Sequence, residues 1–206
     1  MKWHPSALGK LMTQPKSKSE ILSETAKSEI RKIAKEQFFG FSTSITTKPM
    51  IKGTDWEHES IALVNQVRGT FYIKNKERFE NEFLTGEPDI ILDDCIIDIK
   101  TSWSLETWPA TPDEGVNKEY MWQLIGYCWL LDKTQAELIY CMIDTDDTLL
   151  NDWDNRFIHK VSHIDPAKRI TCLKYAMIPD AINEMKEKLT AANEYYSQYI
   201  NQLNNK

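Results

Sequence analysis

Apolar residues recur at helical spacing in four stretches of the chain. They predict an amphipathic helix from about residue 21 to Gly40 and a second helix from Thr54 to about Val67. A third, largely buried helix is expected from about Asn117 to Leu131, and a long one over 179–202. These helices account for about a third of the chain.

A different pattern occupies residues 86–102, where two short apolar runs flank Asp93 and Asp94. This pattern predicts a β-hairpin in which Ile90 opposes Ile97 and Ile91 opposes Ile96. Strand side chains alternate between faces, so one face is apolar and the other is charged. The apolar face carries Ile90, Leu92, Cys95, Ile97 and Ile99, and the charged face carries Asp89, Asp98 and Lys100.

Further strands are predicted over 71–74, 78–84, 136–144 and 168–175. Helices and strands together indicate an α/β fold with a mixed central β-sheet flanked by α-helices. A length of 206 residues suits one domain spanning 1–206. Within it we expect a basic N-terminal helical arm over 1–52 and a C-terminal helix over 179–202.

Charge is distributed unevenly along the chain. The formal net charge is -6, yet residues 1–52 contain ten Lys and Arg against four Asp and Glu. This asymmetry permits a basic, DNA-facing arm beside an acidic, metal-binding body. A basic helix face is more often simply solvated, so charge alone does not assign a partner.

Cysteine spacing and hydropathy limit the class of protein. The four cysteines are widely spaced, with no CxxC or Cys/His cluster, which is typical of reduced thiols rather than a disulfide framework or a zinc site. The most apolar run is shorter than the about 18 residues that a membrane span requires, and the N-terminus has no signal-peptide core. We expect a soluble, cytoplasmic protein without a membrane partner.

The charged face of the hairpin contains the strongest candidate chemistry. If Asp89 opposes Asp98 in the sheet, two like charges lie close together and destabilise it unless something compensates. Lys100 on the same face compensates in part, and a hard divalent cation does so further. Paired carboxylates holding Mg²⁺ beside a lysine form a site able to cleave phosphodiesters. The alternative is an exposed hairpin with solvated acids and a chance lysine.

Other polar residues have both structural and functional interpretations. Glu57 has the spacing of a helix-capping glutamate after Thr54, which needs no chemistry. Gln123 and Tyr127 are four residues apart on one helix face, where a structural hydrogen bond is as plausible as a catalytic contact. The long aperiodic stretch 102–116 contains tryptophans that stack on bases or cover the core.

Several motifs together resemble a known nuclease family. The pair Pro88-Asp89, followed after a gap by Asp98-Ile99-Lys100, resembles the PD-(D/E)XK nuclease signature. The segment 53–57 is similar to a G-x-x-x-E helix start, and 120–127 is similar to a Q-x-x-x-Y helix. With the order of the elements, these motifs resemble the lambda-type phage exonucleases, also called the YqaJ-like viral recombinase family.

This resemblance implies a restriction-endonuclease-like core and a metal-dependent DNA exonuclease. Such an enzyme degrades double-stranded ends 5′-to-3′ and leaves single-stranded DNA for phage recombination. The resemblance implies Mg²⁺, with Mn²⁺ able to substitute, bound by Asp89, Asp98, the backbone carbonyl of Ile99 and Glu57. Lys100 would orient or deprotonate the attacking water.

The same resemblance implies further roles and partners. Gln123 and Tyr127 would steady the site and its DNA, and Ser6 with Lys10 would contribute to a terminal-phosphate pocket. It also implies a single-strand annealing protein as partner and a trimeric assembly.

Two other functions remain open on the same motifs. One is a structure-specific or restriction-type endonuclease, which would cut a closed DNA circle that an exonuclease leaves intact. The other is a nuclease-like module that binds DNA without cutting, against which the intact acidic pair and lysine argue.

Overall fold

The computed structural model describes residues 1–43 and 45–205. The predicted domain 1–206 therefore includes two residues outside the described part, Ser44 and Lys206, and the predicted arm 1–52 includes one of them, Ser44. The α-helices are α1 (Leu8–Leu11), α2 (Glu24–Phe39), α3 (Lys48–Asp55), α4 (Glu57–Arg68), α5 (Lys118–Leu131) and α6 (Pro179–Asn204). The strands are β1 (Phe79–Glu80), β2 (Thr85–Gly86), β3 (Ile90–Ile91), β4 (Cys95–Thr101), β5 (Gln135–Cys141) and β6 (Ile170–Ala176). Short 3₁₀ turns lie at Pro5–Ala7, Asp147–Leu149, Arg156–Ile158 and Pro166–Lys168.

The central sheet has four strands in the order β3-β4-β5-β6. β4 is antiparallel to β3 and parallel to β5, and β5 is antiparallel to β6, so the sheet is mixed. β3 and β4 pair Ile90 with Ile97 and Ile91 with Ile96, which confirms the predicted register of the hairpin. The predicted α/β class, a mixed sheet flanked by helices, is likewise confirmed.

Alternation along β4 sends its side chains into two different cores. Ile97 and Ile99 are buried in a cluster that includes Ile61 and Val64 of α4. Ile96 is buried on the opposite face, in a cluster with Leu124 of α5. Asp98 and Lys100 share this second face, because successive strand residues point to opposite sides. β4 therefore places its charged residues between the sheet and α5.

The N- and C-terminal elements form a third core. α2 and α6 pack against each other, and Trp3, Ile30 and Leu189 are fully or almost fully buried there. The Trp3 indole donates to Asn193 at 2.9 Å, and its backbone amide donates to the Phe83 carbonyl at 2.8 Å. Much of the basic N-terminal segment is thus packed against the rest of the chain.

The structure differs from the local predictions in three places. The first two predicted helices leave residues 41–53 without a helix of their own, but α3 occupies Lys48–Asp55, because the Thr47 side chain caps it and Pro49 stands in its first turn, where proline favours helix initiation. Residues 71–74 form no strand, since the backbone of Tyr72 bonds to the Asn65 side chain instead of a neighbouring strand. Of 78–84, only Phe79–Glu80 is a strand.

The structure also bears on membrane association and on thiol chemistry. None of the helices in residues 1–43 and 45–205 is long and apolar enough to cross a membrane. All four cysteines are free.

Candidate active site

The charged face of β4 opens into a cavity of about 580 Å³, here called the active-site cavity. Its walls come from α3, the start of α4, β4, α5 and the segment after β4. Most of the candidate residues line it, namely Glu57, Asp89, Asp98, Ile99, Lys100, Gln123 and Tyr127. The fold therefore brings together three motifs that lie far apart in the sequence.

Asp98 and Lys100 form the centre of this cavity. The Asp98 side chain is 5% exposed, and its Oδ2 lies 2.6 Å from Lys100 Nζ. Burial raises the pKa of Asp98 to about 6, the Lys100 ammonium opposes this rise, and the Asp89 carboxylate adds to it. Burial by itself would lower the pKa of Lys100, but Asp98 and Asp89 outweigh it and raise the pKa. The Lys100 ammonium also lies 4.6 Å from the ring centre of Tyr120.

Asp89 lies one residue before β3 and is hydrogen-bonded to β4. Its Oδ2 accepts from the Ile99 amide at 2.8 Å, and burial raises the pKa of this carboxyl. A strand residue directs its N–H and C=O to the same side of the strand, so the Ile99 carbonyl faces Asp89 as well. The Ile99 side chain packs on the opposite face of the sheet, which leaves its backbone to line the cavity.

These groups are chemically suited to a hard cation. Two carboxylates and a backbone carbonyl are the oxygen ligands that Mg²⁺ prefers. Among the described residues, no three His, Cys, Asp or Glu side chains are grouped as metal ligands. A cation at Asp89 and Asp98 would therefore need further oxygen ligands, such as the Ile99 carbonyl and water, and Mg²⁺ commonly retains several waters in proteins.

Gln123 and Tyr127 project from one face of α5 toward the acidic pair. Gln123 Nε2 donates to Asp98 Oδ1 at 3.1 Å, so this buried amide fixes the orientation of the carboxylate. The Tyr127 hydroxyl donates to the Glu87 carbonyl at 3.2 Å, two residues before Asp89. Burial raises the pKa of Tyr127, which keeps the phenol protonated as a donor.

Glu57 is the first residue of α4, and the capping interpretation of this residue is wrong. Thr54 lies inside α3, where its hydroxyl donates to the Met50 carbonyl and therefore does not cap α4. The Glu57 carboxylate instead forms an ion pair with Lys74 at the cavity edge. The side chain is 11% exposed, so its charge is largely withdrawn from water and needs such a partner.

Ser6 and Lys10 do not line the cavity. Ser6 is exposed and bonds to His4 at 2.8 Å, whereas Lys10 pairs with Glu29 of α2 at 2.8 Å. The residue between His4 and Ser6, Pro5, lies close to the Tyr127 ring, since a Cβ added at Gly86 would meet both within 3 Å. The segment that contains Ser6 thus lies near Tyr127, which itself lines the cavity.

Two lysines at the site are missing from the residues that sequence reasoning selected. Lys74 lies in the segment that was predicted as a strand, where alternation gave no sign of its partner. Lys52 is wholly buried beneath the cavity wall. No motif or periodicity marks either position, because their partners are brought together only by the tertiary fold.

Lys52 binds four oxygens at the end of the sheet. Its ammonium donates to the carbonyls of Ser102 and Ile143 at 2.9 Å, to that of Trp103 at 3.1 Å, and to Thr145 Oγ1 at 2.9 Å. Burial lowers the pKa of this lysine to about 8, with partial opposition from nearby acids. These bonds, here called the Lys52 cluster, tie α3 to the segments that follow β4 and β5.

Comparison with known proteins places this arrangement in a family. No protein-family model and no curated protein matches the chain. Among solved structures, it is similar to a phage-related exonuclease from Haemophilus somnus 129PT, with a TM-score of 0.93 and 35% identity over 98% of this chain and 96% of that chain. The chain belongs to the lambda-type phage exonuclease family.

A more distant member of this structural group is the alkaline exonuclease LHK-Exo from Laribacter hongkongensis. The TM-score is 0.69 at 16% identity, over 99% of this chain and 92% of that chain. The structure of LHK-Exo in complex with dAMP gives a TM-score of 0.68 at 16% identity, over 98% of this chain and 91% of that chain. At 16% identity this likeness shows that the two chains share a fold and nothing more.

Proposed function

We propose that this protein is a metal-dependent DNA exonuclease that degrades double-stranded ends 5′-to-3′. Membership of a phage exonuclease family makes it a nuclease, that is, a phosphodiester hydrolase with DNA as its substrate. The observation that supports the finer proposal is the convergence of Asp89, Asp98 and Lys100 in one cavity. The product would be single-stranded DNA for phage recombination.

The proposed cofactor is Mg²⁺, for which Mn²⁺ substitutes. Asp89, Asp98 and the Ile99 carbonyl would hold it, with Glu57 completing the site directly or through water. When bound, such a cation neutralises charge on the phosphate and lowers the pKa of a bound water. It also relieves the repulsion between the two aspartates, whose burial already disfavours two negative charges.

Protein side chains would perform the remaining steps. Lys100, which lies 2.6 Å from Asp98 and lines the cavity, would orient the attacking water as an ammonium. To accept the proton of that water it would first have to release its own, which the raised pKa of Lys100 opposes. Gln123 holds Asp98 in the orientation that this geometry requires. Tyr127 fixes the backbone of Glu87 and thereby the position of Asp89. Misplacement of either carboxylate by about 1 Å costs about 100-fold in rate.

The wider biological role follows from the family as part of the same proposal. The enzyme would act in the bacterial cytoplasm, and the exposed strand would pass to a single-strand annealing protein. A trimer that encircles DNA is the assembly to test, with Ser6 and Lys10 near a terminal phosphate. Each of these is a proposal that extends beyond the cavity described above.

Digestion of three DNA substrates tests the proposed activity. Two linear duplexes, one 5′-phosphorylated and one 5′-hydroxyl, are labelled in the body of the strand, and a covalently closed circle is included. We expect loss of the linear duplexes with Mg²⁺, no loss with EDTA, and an intact circle. Preference for the phosphorylated end would support the terminal-phosphate pocket near Ser6.

The same assay identifies the alternatives. Cleavage of the circle would replace the exonuclease proposal with an endonuclease on the same core. Failure to cut any substrate with Mg²⁺ or Mn²⁺, together with retained DNA binding, would favour a non-cutting module. Duplexes labelled at one end only, 5′ or 3′, determine which strand terminus is degraded first.

A further inference from the structure

Lys74 occupies an irregular segment, 70–78, that nevertheless has a fixed position. At its start, the Asn65 side chain accepts from the Tyr72 amide at 2.7 Å and donates to the Tyr72 carbonyl at 3.0 Å. These two bonds replace the strand pairing that the sequence predicted. The backbone that leads from α4 to Lys74, two residues after Tyr72, therefore has a defined direction.

The other end of this segment is bonded to the acidic motif itself. The Asn75 amide donates to the Asp89 carbonyl at 2.7 Å, and Asn75 Nδ2 donates to the Pro88 carbonyl at 3.1 Å. The same side-chain amide also bonds to Glu77, which closes a local turn. The residue after Lys74 is thus hydrogen-bonded to Pro88 and Asp89. The backbone of Lys74 is therefore held at a fixed position relative to the candidate catalytic carboxylate of Asp89.

Charge at this edge of the cavity is shared among three acids and two lysines. Lys100 pairs with Asp98, and Lys74 pairs with Glu57. Lys74 also acts on the acidic pair, since its ammonium works against the raised pKa of both Asp89 and Asp98. The two lysines differ in access to water, because the Lys74 side chain is 47% exposed and that of Lys100 is 24% exposed.

We propose that Lys74 binds a backbone phosphate of the DNA strand that is being cut, and that Glu57 holds the ammonium in place until DNA arrives. This inference rests on the proposed nuclease function and adds a substrate-binding residue to it. A flexible lysine ammonium with three donors is suited to phosphate oxygens. The half-exposed Lys74 can leave Glu57 for a phosphate without unfolding the segment, because Asn65 and Asn75 fix the backbone on both sides.

The competing account gives Lys74 an internal role only. In that account the ammonium neutralises the acids, and its removal changes the stability of the protein and its affinity for cations. It predicts no loss of a DNA contact. Salt dependence separates the two accounts. A plot of log K against log salt concentration has a negative slope on duplex DNA, and each lysine-phosphate contact makes it steeper by about 0.9.

The experiment measures binding of a labelled duplex across a range of salt concentrations with Ca²⁺ in place of Mg²⁺, after confirming that the DNA remains intact. For Lys74→Gln we expect about tenfold weaker binding at low salt. The negative salt slope should become shallower by about 1. Lys74→Arg retains the charge and should keep the wild-type slope. Lys76→Gln removes a nearby exposed charge from the same segment and should change the slope by less.

Two results would overturn the inference. One is an unchanged slope for Lys74→Gln in a protein that melts like the wild type. The other is an equal loss of slope in Lys74→Gln and Lys76→Gln, which would indicate a general effect of charge. Mg²⁺-dependent cleavage by the wild type is measured first, so that failure of the nuclease proposal is distinguished from failure of this contact.

Discussion

Two lysine-binding regions meet at the same end of strand β4 and differ in the groups that surround the ammonium. In the Lys52 cluster the acceptors are three carbonyls and a hydroxyl, and the lysine is fully buried. In the active-site cavity the partners of Lys100 and Lys74 are carboxylates, and both lysines are partly exposed.

This difference agrees with a structural role for Lys52 and with the proposed functional role of the cavity lysines. The oxygens around Lys52 carry no net charge, so they attract no additional cation strongly. The Lys52 ammonium therefore serves to hold three segments together. Carboxylates attract any cation, so Asp89 and Asp98 are able to accept a metal ion beside the lysine that they bind. The Lys52 cluster fixes the backbone of Ser102 and Trp103, shortly after Lys100. It thereby supports the neighbouring active-site cavity.

The largest expected effect comes from removing charge within the cavity. Asp98→Asn and Lys100→Ala should each reduce DNA cleavage by at least about 100-fold, because the proposed mechanism assigns cation binding to Asp98 and the orientation of the attacking water to Lys100. The fold should persist, since Asn retains the shape of Asp98. Circular dichroism and a cleavage time course measure the two properties on the same samples.

Asp93→Asn is the matched control for this prediction. Asp93 is exposed in the turn of the same hairpin, remote from the cavity. Cleavage at the wild-type rate in both Asp98→Asn and Lys100→Ala would remove the proposed site.

Lys52→Met should have the opposite profile, with a large loss of stability. The substitution leaves several buried oxygens without a donor, and we expect the free energy of unfolding to fall by about 2–5 kcal/mol. Urea denaturation provides the measurement. Lys48→Met, on the same helix and with a single side-chain acceptor in Asn151, should cost less. A loss below about 1 kcal/mol for Lys52→Met would contradict a structural role.

Glu57→Gln should reduce cleavage with little change in melting temperature. The reason is that Glu57 faces the cavity and does not cap α4. Glu59→Gln makes the same change of charge two residues further along α4, on an exposed residue, and should remain active. Loss of stability with full activity in Glu57→Gln would instead assign this residue to the helix.

The smallest expected effect is a pH dependence of stability from Lys52. Burial lowers its folded-state pKa to about 8, below its ordinary value of 10.5. Between these two values the folded protein binds fewer protons than the unfolded chain, so the free energy of unfolding should rise with pH. Measured at pH 7 and 9.5, wild type should gain relative to Lys52→Met. An equal pH dependence in the two proteins would contradict this expectation.

The sequence was informative where local periodicity and burial agree. The register of β3 and β4 follows from a two-residue turn at Asp93 and Asp94, and α5 follows from its apolar run. α3 is not among the helices that the periodicity predicts, although its Thr47 cap and the proline in its first turn favour helix initiation. Segment 71–74 was misassigned because Asn65 satisfies its backbone from outside any sheet.

Side-chain partners across the fold were harder to predict. Lys52 and Lys74 have no distinguishing sequence context, and their acceptors lie up to 93 residues away in the chain. Gln123 was identified by its position on α5, but its bond to Asp98 depends on how that helix packs on the sheet. Such pairings are set by tertiary packing rather than by local propensity.

The central claim is that the carboxylates of the active-site cavity hold a divalent cation. Crystals soaked in Mn²⁺, with anomalous scattering recorded near the manganese edge, test it directly. We predict an anomalous peak bounded by Asp89, Asp98 and the Ile99 carbonyl, and no such peak in Asp98→Asn. A wild-type crystal at saturating Mn²⁺ with no peak there, from protein that cleaves DNA with Mn²⁺ in solution, would contradict the account.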